Sequence, residues 1–375
     1  MKPLLEERTE MAWQQILGHD KNVERFAGSL KRNRMASTFL FVGPAGVGKR
    51  TFALQLAQGL LCESNADDSI DPCDQCPSCQ QVIASTHPDL IQVSRPPGKA
   101  FIPVELFIGD KEHRRQRGLC HDIGLKPFSG KRKVAIIDDA DFLNVEGANS
   151  LLKTLEEPPS DSILILIGTS EQQQLSTIVS RSQVIRFAPL SEEHVATILG
   201  RIQLETEIPI EQLAPASGGS IERAKKLIEP EVLEFRNSFH RKLASLDPAA
   251  NGYTKDMLGF IDGAGKDASA KRDRAVLAGD FAIEFYSHWL ASLTGADANT
   301  CDPSVKSAIE MTPDTSDHDT NEIAVRIAQC IETTVMMQRK IRSNVSSANA
   351  VEMWLRDLGR ACRGQLVDAV DDLVV

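Results

Sequence analysis

Nowhere in its 375 residues does the sequence approach the roughly 20 consecutive apolar residues that a bilayer-spanning helix requires, which excludes a helical membrane protein. The opening residues, MKPLLEERTEMAW, carry acidic side chains and lack the apolar core of a secretion signal, so the expected compartment is the cytoplasm. Positive charge is also short. Against 42 Lys and Arg stand 52 Asp and Glu, a formal net charge of -10, so any contact with nucleic acid needs a local basic patch or partner subunits. There is no internal repeat and no low-complexity tract. What remains is a globular composition, 42% hydrophobic and 25% charged, over a length that favours two or three domains.

The cysteines are clustered rather than spread. Cys73, Cys76 and Cys79 form C-x2-C-x2-C, with Cys62 a short polar loop upstream, while Cys120, Cys301, Cys330 and Cys362 are scattered. In a cytoplasmic chain this favours a metal over disulfides. Four thiolates bind zinc tetrahedrally, and the intervening ESNADDSIDP is too polar to order itself without such a clip. A closed four-thiolate site leaves no open position for catalysis, so the expected role is structural.

The first half alternates strand and helix signals. Apolar runs at Thr38–Val42, Leu90–Val93, Val134–Ile137, Ile163–Ile167 and Gln183–Phe187 are separated by helical patterns. That order predicts an α/β domain with a parallel sheet covered on both faces. From Pro189 the texture changes to short amphipathic helices, and after Pro230 it is helical to the end. A polar, proline-bearing stretch, Gly295 to Asp319, reads as including a connection.

Between the first strand and its helix lies FVGPAGVGKRTFA. Gly43, Gly48 and Lys49 fill G-x-x-x-x-G-K-[ST], a loop whose backbone N–H groups curl around phosphates at the positive end of the following helix. Gly46 adds a further small residue inside it. Arg50, however, stands where a hydroxyl normally holds magnesium, and Thr51 lies about 100° further around the helix, so it is no simple replacement. A strand ending in acid completes such a site. Here Ile136-Ile-Asp-Asp139 supplies it, with Asp138 placed to orient magnesium through water and Asp139 where many hydrolases carry the Glu that polarises water. The shorter Asp139 puts that second task in doubt, because proton abstraction is sensitive to small displacements.

Two later arginines read as surface charge on composition alone, or as neutralisers of a transferring phosphate beside a nucleotide site. They are Arg181, in Ser180-Arg-Ser182 before the fifth strand, and Arg223, in Gly219-Ser-Ile-Glu-Arg-Ala224. The basic clusters Lys111–Arg117 and Lys131–Lys133 lack interleaved aromatics and read as solvated faces.

Taken together, these motifs resemble the clamp-loader branch of the AAA+ ATPases. The resemblance runs from Trp13-Gln-Gln-Ile-Leu-Gly-His19 to Arg223. It is most specific in Lys133-Val-Ala-Ile-Ile-Asp-Asp-Ala-Asp141 followed by Ala148-Asn-Ser-Leu-Leu-Lys-Thr-Leu-Glu-Glu-Pro-Pro159. It implies a P-loop domain over residues 1–189 with a zinc module at about 62–79, a helical lid over 190–230, and an all-α collar over 231–375. The implied partners are gamma/tau and delta subunits in a hetero-pentamer that places a sliding clamp on primer-template DNA. Gly43, Gly46, Gly48, Lys49, Arg50 and Thr51 then face ATP or ADP with magnesium, Thr169 senses the terminal phosphate, and Arg223 contacts nucleotide from the lid. Arg181 falls in the family's Ser-Arg-Cys motif, with Ser182 replacing Cys, and is the arginine donated in trans. Because Arg50 and Asp139 both depart from the hydrolytic pattern, the expectation is a stator whose own ATPase is weak or absent. The alternatives are a gamma/tau-type motor and a free-standing AAA+ ATPase.

Overall fold

The computed structural model describes residues 13, 15–128, 131–244, 253–295, 302–312, 320–342 and 345–365. The first twelve residues, on which the expectation about secretion rests, lie outside them. Residue contacts divide the chain into two compact units, Met1–Leu204 with Ser217–Arg223, and Glu205–Ala216 with Ala224–Val375.

The first unit is built on five parallel strands: β1 (Thr38–Val42), β2 (Leu90–Val93), β3 (Lys133–Ile137), β4 (Ser162–Ile167) and β5 (Gln183–Arg186), in the order β2-β3-β4-β1-β5. Each of the five apolar runs in the sequence forms a strand. β1, β3 and β4 are buried along their whole lengths, as strands covered on both faces must be. Side chains alternate between two cores. Phe39 and Phe41 join Phe26, Phe52 and Phe187 on one face, whereas Leu40 and Val42 join Ala135, Leu164 and Leu151 on the other. The sheet's carboxyl edge therefore gathers Gly43 after β1, Asp138 after β3 and Gly168 after β4, the crevice where parallel α/β sheets receive ligands.

The second unit is helical among its described residues. Ala268–Leu293 packs along Thr320–Arg342, and Thr320–Arg342 along Ser347–Cys362. Phe281, Phe285 and Trp289 recur every four residues on one buried stripe. The polar stretch of 295–319 holds a helix, Pro303–Glu310, whose first turn is capped by Asp302 through the Ser304 N–H at 2.7 Å; residues 296–301 and 313–319 lie outside the described residues. Asp302 also joins a buried ion cluster. Arg236, fully buried, donates to Glu284 at 2.9 and 3.2 Å and reaches Asp302 at 2.9 Å. Although burial opposes charge, the two carboxylates hold the guanidinium above its usual pKa. Glu284→Ala should cost about 3–5 kcal/mol, because it leaves Arg236 buried with one carboxylate; a lower denaturant midpoint for the helical unit is the expected reading.

Candidate functional site

Gly43 leaves β1 with its N–H donating to Thr169 O at 3.1 Å, and a Cβ there would lie 2.2 Å from Phe187 O, so only glycine fits. Gly48, at φ 99°, turns the chain into the Lys49–Leu61 helix. The first-turn N–H groups of that helix have no intrahelical partner, and no acidic residue sits in that turn to occupy them. This is a cradle for an anion. His19 supports it from behind: its Nε2 lies 2.7 Å from Val47 O, which fixes Nε2–H as the donor. The helix-initiating segment Ser220–Glu222 presses on Gly46, whose O accepts the Ile221 N–H at 3.0 Å.

Lys49 is 7% exposed and its Nζ donates to Gly43 O and Pro44 O, each at 2.6 Å. Burial lowers its pKa, while Asp141, Asp138 and Glu222 pull the other way. The lysine thus folds back on the loop it would otherwise extend beyond.

Arg50 answers the gap in the motif. Its guanidinium meets Asp138 Oδ2 at 2.8 Å and Gln92 Oε1 at 3.3 Å, while Asp138 Oδ1 accepts the Asp139 N–H at 3.0 Å. Thr51 is exposed one residue further on. The residues present do not fit magnesium. The hydroxyl ligand is replaced by a cation, and the carboxylate that would orient the ion is engaged by that cation. Asp139 adopts the left-handed conformation, at φ 58°, and burial, with Asp138 beside it, pushes its carboxyl above the usual range against the pull of Arg95. Asp141 accepts the Thr169 N–H at 2.9 and 3.1 Å and the Gln174 amide at 2.5 Å, so it ties the end of β4 to the acidic strand. Sequence reasoning quoted Asp141 inside a motif without giving it this task.

Arg223 begins a helix with its N–H on the Ser220 hydroxyl at 3.1 Å, in the same segment that rests on Gly46. Arg181 is placed elsewhere. β5 pairs with β1 in the register Phe39↔Gln183, so Arg181 precedes the amino edge of the sheet while Gly43 follows its carboxyl edge. Six residues of extended chain separate the two levels, roughly 20 Å. Arg181 is one-third exposed and is held by Glu156 at 2.6 Å, with further bonds to Thr177 O and Ser180 Oγ. Glu156 belongs to the LEEPP run, and nothing in its spacing announced Arg181 as its partner.

The four cysteines converge. The Sγ atoms of Cys62, Cys73, Cys76 and Cys79 lie within 4.8 Å of one another, with Cys62–Cys76 and Cys73–Cys79 each at 3.9 Å. A tetrahedron with metal–sulfur arms of about 2.3 Å has edges of about 3.8 Å, so the set fits a four-coordinate metal. The Cys76 and Cys79 N–H groups donate to the Cys73 and Cys76 sulfurs at 3.3 and 3.4 Å. Burial alone would raise the Cys73 thiol, but bonds from Gln75, Ser64 and Cys76 bring it down to about 6. Lys131 anchors the insertion through Cys62 O and Asn65 O, both at 2.9 Å. Among the described residues no helix is long and apolar enough to cross a membrane.

A family model described as DNA polymerase III, delta subunit, matches residues 18–191. The DNA polymerase III subunit delta-prime of Pseudomonas aeruginosa is 35% identical over 55% of this chain and 60% of its own length; that of Bacillus subtilis is 32% identical over 44% and 46%. The DNA polymerase III subunit tau/gamma of Haemophilus influenzae is 31% identical over 66% of this chain and 33% of its own. The matches therefore span between a third and three-fifths of these relatives' lengths. The family match takes in the loop, the acidic strand and the cysteine insertion, and the chain is similar to the delta-prime and tau/gamma subunits of DNA polymerase III.

Proposed function

We propose that the chain is a delta-prime-type stator of a DNA polymerase III clamp loader. It joins gamma/tau and delta subunits in a hetero-pentamer and helps place the sliding clamp on primed DNA. The observation that carries this reading is the separation of Arg181 from the chain's own phosphate loop, at opposite edges of one sheet. An arginine there serves a nucleotide held by a neighbour and cannot serve its own. The chain's own loop keeps Gly43, Gly46, Gly48 and Lys49 for phosphate, with Thr169 and Arg223 beside it, but Arg50 and Asp139 leave Asp138 without a working metal or a well-placed base. A gamma/tau-type motor needs both. The four thiolates hold a structural zinc that orders the insertion, and the helical third forms the collar.

The test mixes the full chain with gamma/tau and delta subunits and reads assembly by light scattering and ATP turnover by phosphate release. The chain alone should turn over ATP negligibly and should enter the assembly. Lys49→Ala should leave turnover by the assembly within about twofold, because the lost lysine serves a site that does not fire. A chain that stays out of the assembly, or a Lys49→Ala assembly that is inactive, would remove the stator reading.

A further inference from the structure

The loop carries its own cation where other loops of this shape recruit one. Arg50 is permanently charged, and its planar guanidinium has five N–H donors. Two contacts, to Asp138 and Gln92, orient it, and its side chain remains 51% exposed. It follows Lys49 at the start of the helix, on the carboxyl edge of the sheet where the cradle opens. A magnesium ion held through Asp138 would have to stand beside this guanidinium, like charge against like, with its usual hydroxyl ligand gone.

We infer that this loop binds a nucleoside diphosphate without a divalent cation, Arg50 supplying to the phosphates the positive charge that magnesium supplies in other loops. The inference rests on the stator reading, and it names the form of ligand that such a subunit keeps. Binding and hydrolysis part company here. Lys49, the glycine backbone and Arg50 would hold a diphosphate, whereas hydrolysis also needs a metal-bound terminal phosphate and a placed base, and Arg50 and Asp139 stand where the groups for those tasks would be. Magnesium then acts from outside the site. It complexes free diphosphate in solution, so adding it does not tighten binding and, to the extent that it depletes free diphosphate, weakens apparent affinity.

The experiment is calorimetric titration of the zinc-loaded full chain with ADP, in metal-depleted buffer and again with millimolar magnesium. A free chelator is avoided, because it would draw on the cysteine site. Wild type should bind ADP in both buffers, with magnesium leaving affinity unchanged or lowering it. Arg50→Thr restores the hydroxyl and releases Asp138, so magnesium should tighten its ADP binding about tenfold or more. Asp138→Asn provides a second route that creates no metal site: it frees the guanidinium, and ADP affinity should rise in both buffers. A wild-type gain of about tenfold on adding magnesium would overturn the inference, as would no ADP binding in either buffer. Neither result touches assembly with the other subunits, so the stator reading fails or stands separately.

Discussion

Arg181→Ala is expected to slow ATP hydrolysis by about 10³-fold at the neighbouring site this arginine is proposed to complete in an assembled loader, without changing nucleotide binding to this chain. An arginine that neutralises charge only as the phosphoryl group transfers acts on the rate and leaves ground-state binding nearly alone. The side chain is prepared for such a task. It emerges after the short Ser176–Val179 helix, and Glu156, Thr177 and Ser180 hold it in one orientation at a partly exposed edge. Glu156 has to release it, or share it, when a phosphate approaches. Arg181→Lys keeps the charge but loses the planar fork and should recover only a small part of the rate. The measurement is turnover by the reconstituted assembly, with nucleotide occupancy checked in parallel. An unaltered rate would take Arg181 out of this role.

Loss of the proposed zinc clip should have the second large effect, this time on order. In zinc-finger peptides, structural zinc contributes about 10–16 kcal/mol of binding free energy at neutral pH, and that energy is folding energy. Here it would fall on a polar segment held besides by Lys131 at Cys62 O and Asn65 O and by Trp13 at Ile70 O. Between Cys62 and Cys73 the buried apolar anchors are Ile70 and Pro72, and the Ile70 carbonyl lies 1.8 Å from where a Cβ on Gly59 would stand. Cys79→Ser should therefore abolish zinc binding by native mass spectrometry. It should also release the amides of residues 62–83 to fast hydrogen exchange, while the five strands stay protected. Unchanged exchange across 62–83 would show that packing, and not the metal, orders the insertion.

Much of this architecture was legible because it is local. The five strands are continuous apolar runs, the glycine loop sits between a strand and a helix, and Ser191 caps its helix by accepting the His194 N–H. The cysteine set was legible through spacing, since three of its members lie within seven consecutive residues. The rest depends on pairs far apart in the chain. Arg50 meets Asp138 across 88 positions, and Arg181 meets Glu156 across 25. A motif can show that a hydroxyl is missing from position 50, but only the fold shows what the replacement grips. The Arg236–Glu284–Asp302 cluster is hidden for the same reason, with the added disguise that charged residues in a helical pattern read as solvent-facing. Pro303 conceals its helix by looking like loop punctuation while serving as a favourable first-turn residue.

If Arg181 serves a neighbour's nucleotide as proposed, the placement of Gly43 and Arg181 on opposite edges gives the subunit a direction, a donor end and an acceptor end. Contacts made through unlike ends are heterologous, so they chain head to tail and cannot close a two-fold dimer on themselves. A member whose acceptor end holds nucleotide without firing, while its donor end stays intact, ends the succession of firing sites without breaking the series of contacts. In a closed ring the working sites are then fewer than the members by each such chain, and its position marks a fixed start from which the others can be counted.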